Sequence, residues 1–393
     1  LRPACRHKYS HDNYTNKITT QSRTMKRFLI ARTLMVGLAS ATPCHQALAT
    51  EPAPSNTVIP ADAPELRYTG RIDFSDRHAP SLTWPASSIQ ARFSGTALSV
   101  RLEDEKGQNF YNVIVDGNTA HPFVLQAKKG EHTYDISRAL SPGEHTVEIF
   151  KRTEGEYGAS RFRGLILSPD GRMLPPPARP ERRLEIFGDS ITCGMGNEGA
   201  DNSRDDLASE ENQYWAYGAV AARALDAELH TICKSGIGIM VSWFPFTMPE
   251  YYDQLSGVGN NDTEWEFSAW TPQVVVINLF QNDSWIVDRE KRLQPIPDDE
   301  QRIAAYIEFV RKVRAHYPDA TIVGALGSMD ATANEKWPNY IREAMARMRE
   351  ENADEKLHTL FFDYTGYGQH PRVAQHVANG EKLAAFIREK MGW

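Results

Sequence analysis

Between Leu66 and Leu167 apolar residues recur at every second position. Leu98, Val100 and Leu102 alternate with Ser99 and Arg101. Tyr111, Val113 and Val115 run into an Asp116-Gly117 turn, Val147 and Ile149 follow Pro142-Gly143, and Leu165 and Leu167 close the run. Successive side chains on a strand point to opposite faces, so this period predicts strands with one face buried. Short strands separated by turn residues, with no helical period among them, predict an antiparallel sandwich over 60–172.

The stretch 173–181, with Pro175-Pro176-Pro177-Ala178-Arg179-Pro180 at its centre, breaks regular structure because proline donates no backbone hydrogen bond and restrains its neighbour. It reads as a stiff linker. Beyond it, over 182–393, short apolar runs alternate with helical periods. Strands are expected at 184–189, 229–235, 273–279, 320–326 and 358–364, and helices at 212–226, 298–315, 334–350 and 373–391. Alternating β and α units imply a parallel sheet covered on both faces, an α/β fold.

The first 49 residues stand apart. Met25-Lys26-Arg27, the apolar stretch Phe28 to Ala39 and the small-residue site Ala47-Leu48-Ala49 read as a signal peptide starting at Met25, with the mature chain beginning near Thr50. Arg32 interrupts the apolar run, which is too short for a membrane anchor, and Pro43 spoils a lipoprotein reading of Cys44. The expected location is outside the cytoplasm, secreted or periplasmic. Residues 1–49 carry eight Lys or Arg against one acid, so the remainder has a formal charge of −14. Such a chain is a poor nucleic-acid binder and suits a neutral partner such as a polysaccharide. Of four cysteines only Cys193 and Cys233 lie beyond the leader, as one bridge or two buried thiols.

Four blocks carry candidate chemistry. Gly188-Asp189-Ser190 follows the first α/β strand, presenting a serine at a carboxyl strand end and a helix start. Lys234-Ser235-Gly236 follows the second, and Gly236 offers an amide with close backbone access. Asn278 to Asp283 follows the third, with the Asn282 side-chain amide as another donor. Gly368-Gln369-His370-Pro371 precedes the last helix and supplies a base. A serine hydroxyl is a weak nucleophile until a base and oxyanion donors are brought to it, and these blocks contain both.

The set resembles the GDSL or SGNH hydrolase superfamily, whose four named residues would be Ser190, Gly236, Asn282 and His370. With a sandwich in front, and Gly-Asp-Ser-Ile-Thr-Cys-Gly at 188–194, the chain is similar to carbohydrate esterase family 2. The resemblance implies a jelly-roll domain followed by a three-layer SGNH domain, and an acetyl esterase acting on acetylated plant polysaccharide, at the sugar 6-hydroxyl. Three departures from the pattern stand out. Phe280 occupies a position usually held by glycine, and Tyr367 stands where an acid usually precedes the histidine by three residues; Gln369 replaces a frequent tryptophan.

With Tyr367 in that place, the expectation is a Ser190–His370 dyad. A backbone carbonyl would accept the Nδ1 proton, and Asp363 and Asp330 would be dispensable. Asp189 reads as a helix cap and His376 as a helix residue rather than the base. Trp243 and Trp285 follow active-site blocks and are candidate sugar platforms. No metal-ligand pattern occurs, and neither metal nor cofactor is expected. A lipolytic esterase or thioesterase on the same fold, or a carbohydrate-binding protein with weak residual esterase activity, are the alternatives.

Overall fold

The computed structural model describes residues 55–201, 203–259, 262–364 and 370–393. The leader, Met25, Cys44, Ala49, Tyr367 and Gln369 lie outside them. Residues Ala53–Trp393 form one compact unit.

Among the described residues the amino-terminal part is a sandwich of two antiparallel sheets. One carries the strands Ile72–Asp73, Ser81–Leu82, Ser160–Leu167, Leu98–Asp104 and Gly130–Ser137 in that order, with Thr57–Ile59 also on Ser160–Leu167. The other carries Arg172–Leu174, Ser88–Ser94, Glu144–Lys151, Phe110–Val115 and Phe123–Gln126, with Arg67–Thr69 on Ser88–Ser94. The sandwich strands therefore extend a little beyond residues 60 and 172. The alternation works as expected: Leu98, Val100 and Leu102 face a core shared with Phe93, Tyr111, Val147, Ile149 and Phe162, while Ser99 and Arg101 bond across the outer surface to Asp135 and Glu131.

The proline stretch is pinned at both sides. Arg67 donates to the carbonyls of Pro177, at 3.1 Å, and Ala178. Arg179 ties it to the Tyr68 carbonyl at 3.0 Å and to Glu228 of the following domain at 2.6 Å.

That domain holds a parallel sheet in the order Ala227–Cys233, Arg182–Gly188, Val274–Asn278, Thr321–Leu326, Leu357–Phe361. Its strands are continuous apolar runs because both faces are covered. Val275 and Ile277 meet the helices Asp299–His316 and Lys336–Asn352, whereas Val274 and Val276 meet Tyr217–Ala224 and Val373–Met391 on the other side. One expected helix is broken: residues 212–226 form a single turn, Gln213–Trp215, and then a helix, Tyr217–Ala224, separated by extended Ala216. The first strand lies between the second and third, so the chain reverses its winding direction at Gly188. This switch point is where an open α/β sheet leaves a crevice at its carboxyl edge.

Candidate active site

Gly188 pairs with Cys233 on one side and Asn278 on the other. The segments leaving these strands therefore emerge side by side, and they contain Ser190, Gly236 and Asn282. Gly188 has no room for a side chain, since a Cβ would sit 1.9 Å from Thr192 Oγ1. Ser190 begins the short helix Ser190–Cys193, capped by Asp189, whose Oδ1 accepts the Ile191 N–H at 3.0 Å. Burial pushes the Asp189 carboxyl up to about 7, which fits a cap rather than a working acid.

The donors sit on well-anchored loops. Gly236 has φ +86°, and a Cβ there would press on Trp243 and Phe244 at 3.2 and 3.3 Å. Asp283 ties down the rest of that loop: Oδ2 accepts the Ile239 N–H at 3.0 Å, and Oδ1 accepts those of Met240 and Val241 at 2.6 and 3.2 Å. Burial outweighs these three bonds and raises the Asp283 carboxyl to about 6. Asn282 is oriented from both ends. Its Oδ1 accepts Trp243 Nε1–H at 3.1 Å and its Nδ2 donates to the Ile237 carbonyl at 2.9 Å, leaving one amide hydrogen for a ligand. Among the described residues the N–H groups of Ser190 and Gly236 find no acceptor, so these two and the remaining Asn282 amide hydrogen stay available as donors.

Phe280 keeps the backbone of the glycine it replaces, at φ +95° and ψ −7°. A bulky residue there is strained. The ring compensates by burying itself completely against Tyr306 and Trp337, with centroids 5.1 Å from each.

His370 Nε2 lies 2.7 Å from Ser190 Oγ. Its Nδ1 lies 2.9 Å from Asp205 Oδ2, and the same oxygen accepts the His370 N–H at 2.9 Å. The dyad expectation is thereby corrected: a carboxylate, not a backbone carbonyl, holds the ring. It comes from the loop after the nucleophile, 165 residues before the histidine. Arg372 Nη1 bonds Asp205 Oδ1 at 2.8 Å. Although burial acts to raise the Asp205 carboxyl, the bonds to His370 and Arg372 hold it down to about 2. Sequence reading passed over Asp205 because it lies in an aperiodic loop; the one signal was an arginine two residues after the histidine, able to clamp a distant acid.

Other candidates fall elsewhere. Asp363 is exposed and pairs with Lys382 at 3.2 Å. Asp330 accepts Trp285 Nε1–H and Gln281 Nε2–H, both at 2.8 Å, and pairs with Arg289. His376 is fully buried, takes the Tyr217 N–H on Nδ1 at 3.2 Å, and is pushed down to about 3 by burial. Trp243 is 43% exposed and Trp285 half-buried, so both present ring surface near the site. Cys193 and Cys233 are buried free thiols. Among the described residues no group of three or more His, Cys, Asp or Glu side chains is placed to hold a metal, and no helix is long and apolar enough to cross a membrane.

The chain is similar to known proteins over most of its length. The family description Carbohydrate esterase 2 N-terminal matches residues 68–177, and GDSL-like Lipase/Acylhydrolase family matches 186–383. Cellulase/esterase CelE of Acetivibrio thermocellus is 34% identical over 84% of this chain; the match spans 40% of that longer protein. An acetylxylan esterase / glucomannan deacetylase of Cellvibrio japonicus is 27% identical over 86% of this chain and 92% of its own length. The solved structure of a family two carbohydrate esterase from Clostridium thermocellum, in complex with cellohexaose, superposes with a TM-score of 0.74 at 34% identity, covering 84% of this chain and 99% of that one. The chain belongs to carbohydrate esterase family 2.

Proposed function

We propose that the chain is a serine esterase that removes acetyl groups from plant polysaccharide, with Ser190, His370 and Asp205 as its triad. The hydrogen-bonded line from Ser190 Oγ through the His370 ring to Asp205 carries this reading. His370 Nε2 takes the hydroxyl proton as Oγ attacks the acetyl carbonyl carbon. The N–H groups of Ser190 and Gly236 and the Asn282 amide receive the oxyanion. The imidazolium then gives its proton to the departing sugar oxygen, leaving acetyl-Ser190. Water, deprotonated by His370, attacks that ester, and acetate leaves as Oγ regains a proton. Asp205 stays ionised throughout, fixing the ring and stabilising its cation.

The sugar 6-acetyl group is the proposed target, with Trp243 and Trp285 as platforms for the flanking rings. The segment 28–49 supports export, to the periplasm or beyond.

Acetate release from acetylated xylan, glucomannan and xyloglucan tests the proposal. Ser190→Ala and His370→Ala should each abolish release, and persistent release from folded Ser190→Ala would overturn it.

A further inference from the structure

The sandwich strand Glu144–Lys151 is followed by Arg152 and Glu154, both of which bond to the α/β domain. Arg152 and Glu154, two apart on extended chain, point the same way. Each reaches one half of the site. Arg152 donates to the carbonyls of Glu211 and Ser209 at 3.2 and 3.0 Å and pairs with Glu198, holding the limb of the loop that also bears Asp205. Glu154 Oε2 accepts the Ser235 N–H at 2.7 Å, one residue before Gly236.

Glu154 is built into this place. It is 2% exposed, and its own N–H donates to Glu211 Oε1 at 2.6 Å. The next residue, Gly155, approaches the α/β domain so closely that a Cβ would lie 2.1 Å from the Gly257 carbonyl. The carboxylate therefore has little freedom to shift. A side chain of this cost, an acid taken out of water, would serve poorly as generic domain glue when Trp84 and Thr83 already dock the same boundary through Leu255 and Gly257. Among the described residues the Ser235 amide bonds only to this carboxylate; the Ile237 N–H on the Lys234 carbonyl at 3.2 Å and the Trp243 N–H on the Gly236 carbonyl at 3.1 Å close the turn around it, so the Ser235 amide is the remaining point at which the peptide before left-handed Gly236 is held.

We propose that Glu154, a sandwich residue, is a positioning residue of the oxyanion site: it fixes the Ser235 peptide and thereby aims the Gly236 N–H. The inference rests on the serine-esterase reading above. It makes the sandwich a part of the catalytic apparatus, and predicts that the α/β domain alone has a misaligned donor. Burial raises the carboxyls of both Glu154 and Glu211, with Lys234 acting against it at Glu154. A neutral acceptor of the same shape should therefore serve nearly as well as the carboxylate.

The test uses the full chain and an aryl acetate. Glu154→Met keeps the length and removes the acceptor, and kcat should fall ~10- to 100-fold with KM within about threefold, as expected when a donor is displaced rather than deleted. Glu154→Gln retains an Oε1 acceptor and should keep kcat within about threefold. Arg179→Gln, which removes the junction ion pair to Glu228 at the opposite end of the strand Ala227–Cys233 from Gly236, should lower Tm without changing kcat. If Glu154→Met does not fold, Glu154→Ala is read by the same criteria. Unchanged kcat in a folded methionine or alanine variant, or equal losses with methionine and glutamine, would overturn the proposal. Ser190→Ala run alongside separates the failures: residual turnover there sinks the serine reading itself, whereas its loss beside an active Glu154→Met sinks only the positioning role.

Discussion

The proposed oxyanion half of the site is held by buried hydrogen bonds: Asp283 to three amides, Glu154 to a fourth, and Asn282 to Trp243 and Ile237. The proposed proton-transfer half is assembled differently, from two loops far apart in sequence, joined by one carboxylate, 16% exposed, between His370 and Arg372. The contrast follows the chemistry. Oxyanion donors work only if they are in place before charge develops, because any reorganisation adds to the barrier. The imidazole must accept and release a proton while keeping its direction, and a single ionised partner achieves that.

Asp205→Asn should have the largest effect among changes to the supporting groups. It removes the charge that stabilises the imidazolium and allows the wrong tautomer, so kcat should fall ~10³- to 10⁴-fold with the fold intact by circular dichroism. A loss under tenfold would return the site to a dyad. Asn282→Ala comes next, at ~10²- to 10³-fold in kcat, the usual consequence of losing one preorganised donor. Activity on 4-nitrophenyl acetate within about threefold of the parent would remove Asn282 from the donor set.

The two halves also titrate in opposite senses. Asp205 is depressed to about 2 from an ordinary 3.8, so its contribution to stability is complete above pH 4 and is lost as pH falls through 2. Asp283 is raised to about 6 by burial, so its contribution is complete below 3.8 and is lost as pH rises through 6. Thermal denaturation of Asp283→Asn between pH 4 and 7 should show a flatter decline in Tm than the parent; an identical slope would mean that Asp283 does not titrate there. The smallest effect is expected for Trp243→Phe. The ring surface stays while the Nε1–H to Asn282 is lost, so kcat should drop several-fold and KM for polysaccharide should hardly move. A KM rise with kcat unchanged would make Trp243 a sugar platform alone.

The same contrast explains what could be read from the chain. Ser190, Gly236 and Asn282 each follow an apolar strand within four residues, so local pattern places them together before any tertiary contact is known. Asp205 follows nothing periodic, and its role depends on a loop folding back to residues 370–372. The break of the 212–226 helix was hidden for a related reason: the sequence keeps a helical period across Ala216, but Gln213 N–H is drawn to the Arg152 carbonyl of the sandwich at 3.1 Å. The trade of glycine for Phe280 was visible, yet its outcome was not, because only the packing of Tyr306 and Trp337 reveals that the left-handed backbone survives.

At Phe280 backbone strain and packing pull in opposite directions. Restoring glycine would relieve about 1–2 kcal/mol of left-handed strain, but it would empty the space between Tyr306 and Trp337, and deleting a buried aromatic ring costs about 3–5 kcal/mol. Phe280→Gly should therefore lower Tm even though it returns the family's usual residue. The strained backbone is thus locked in by its neighbours: glycine would be tolerated at 280 only if residue 306 or 337 were reshaped to refill the space.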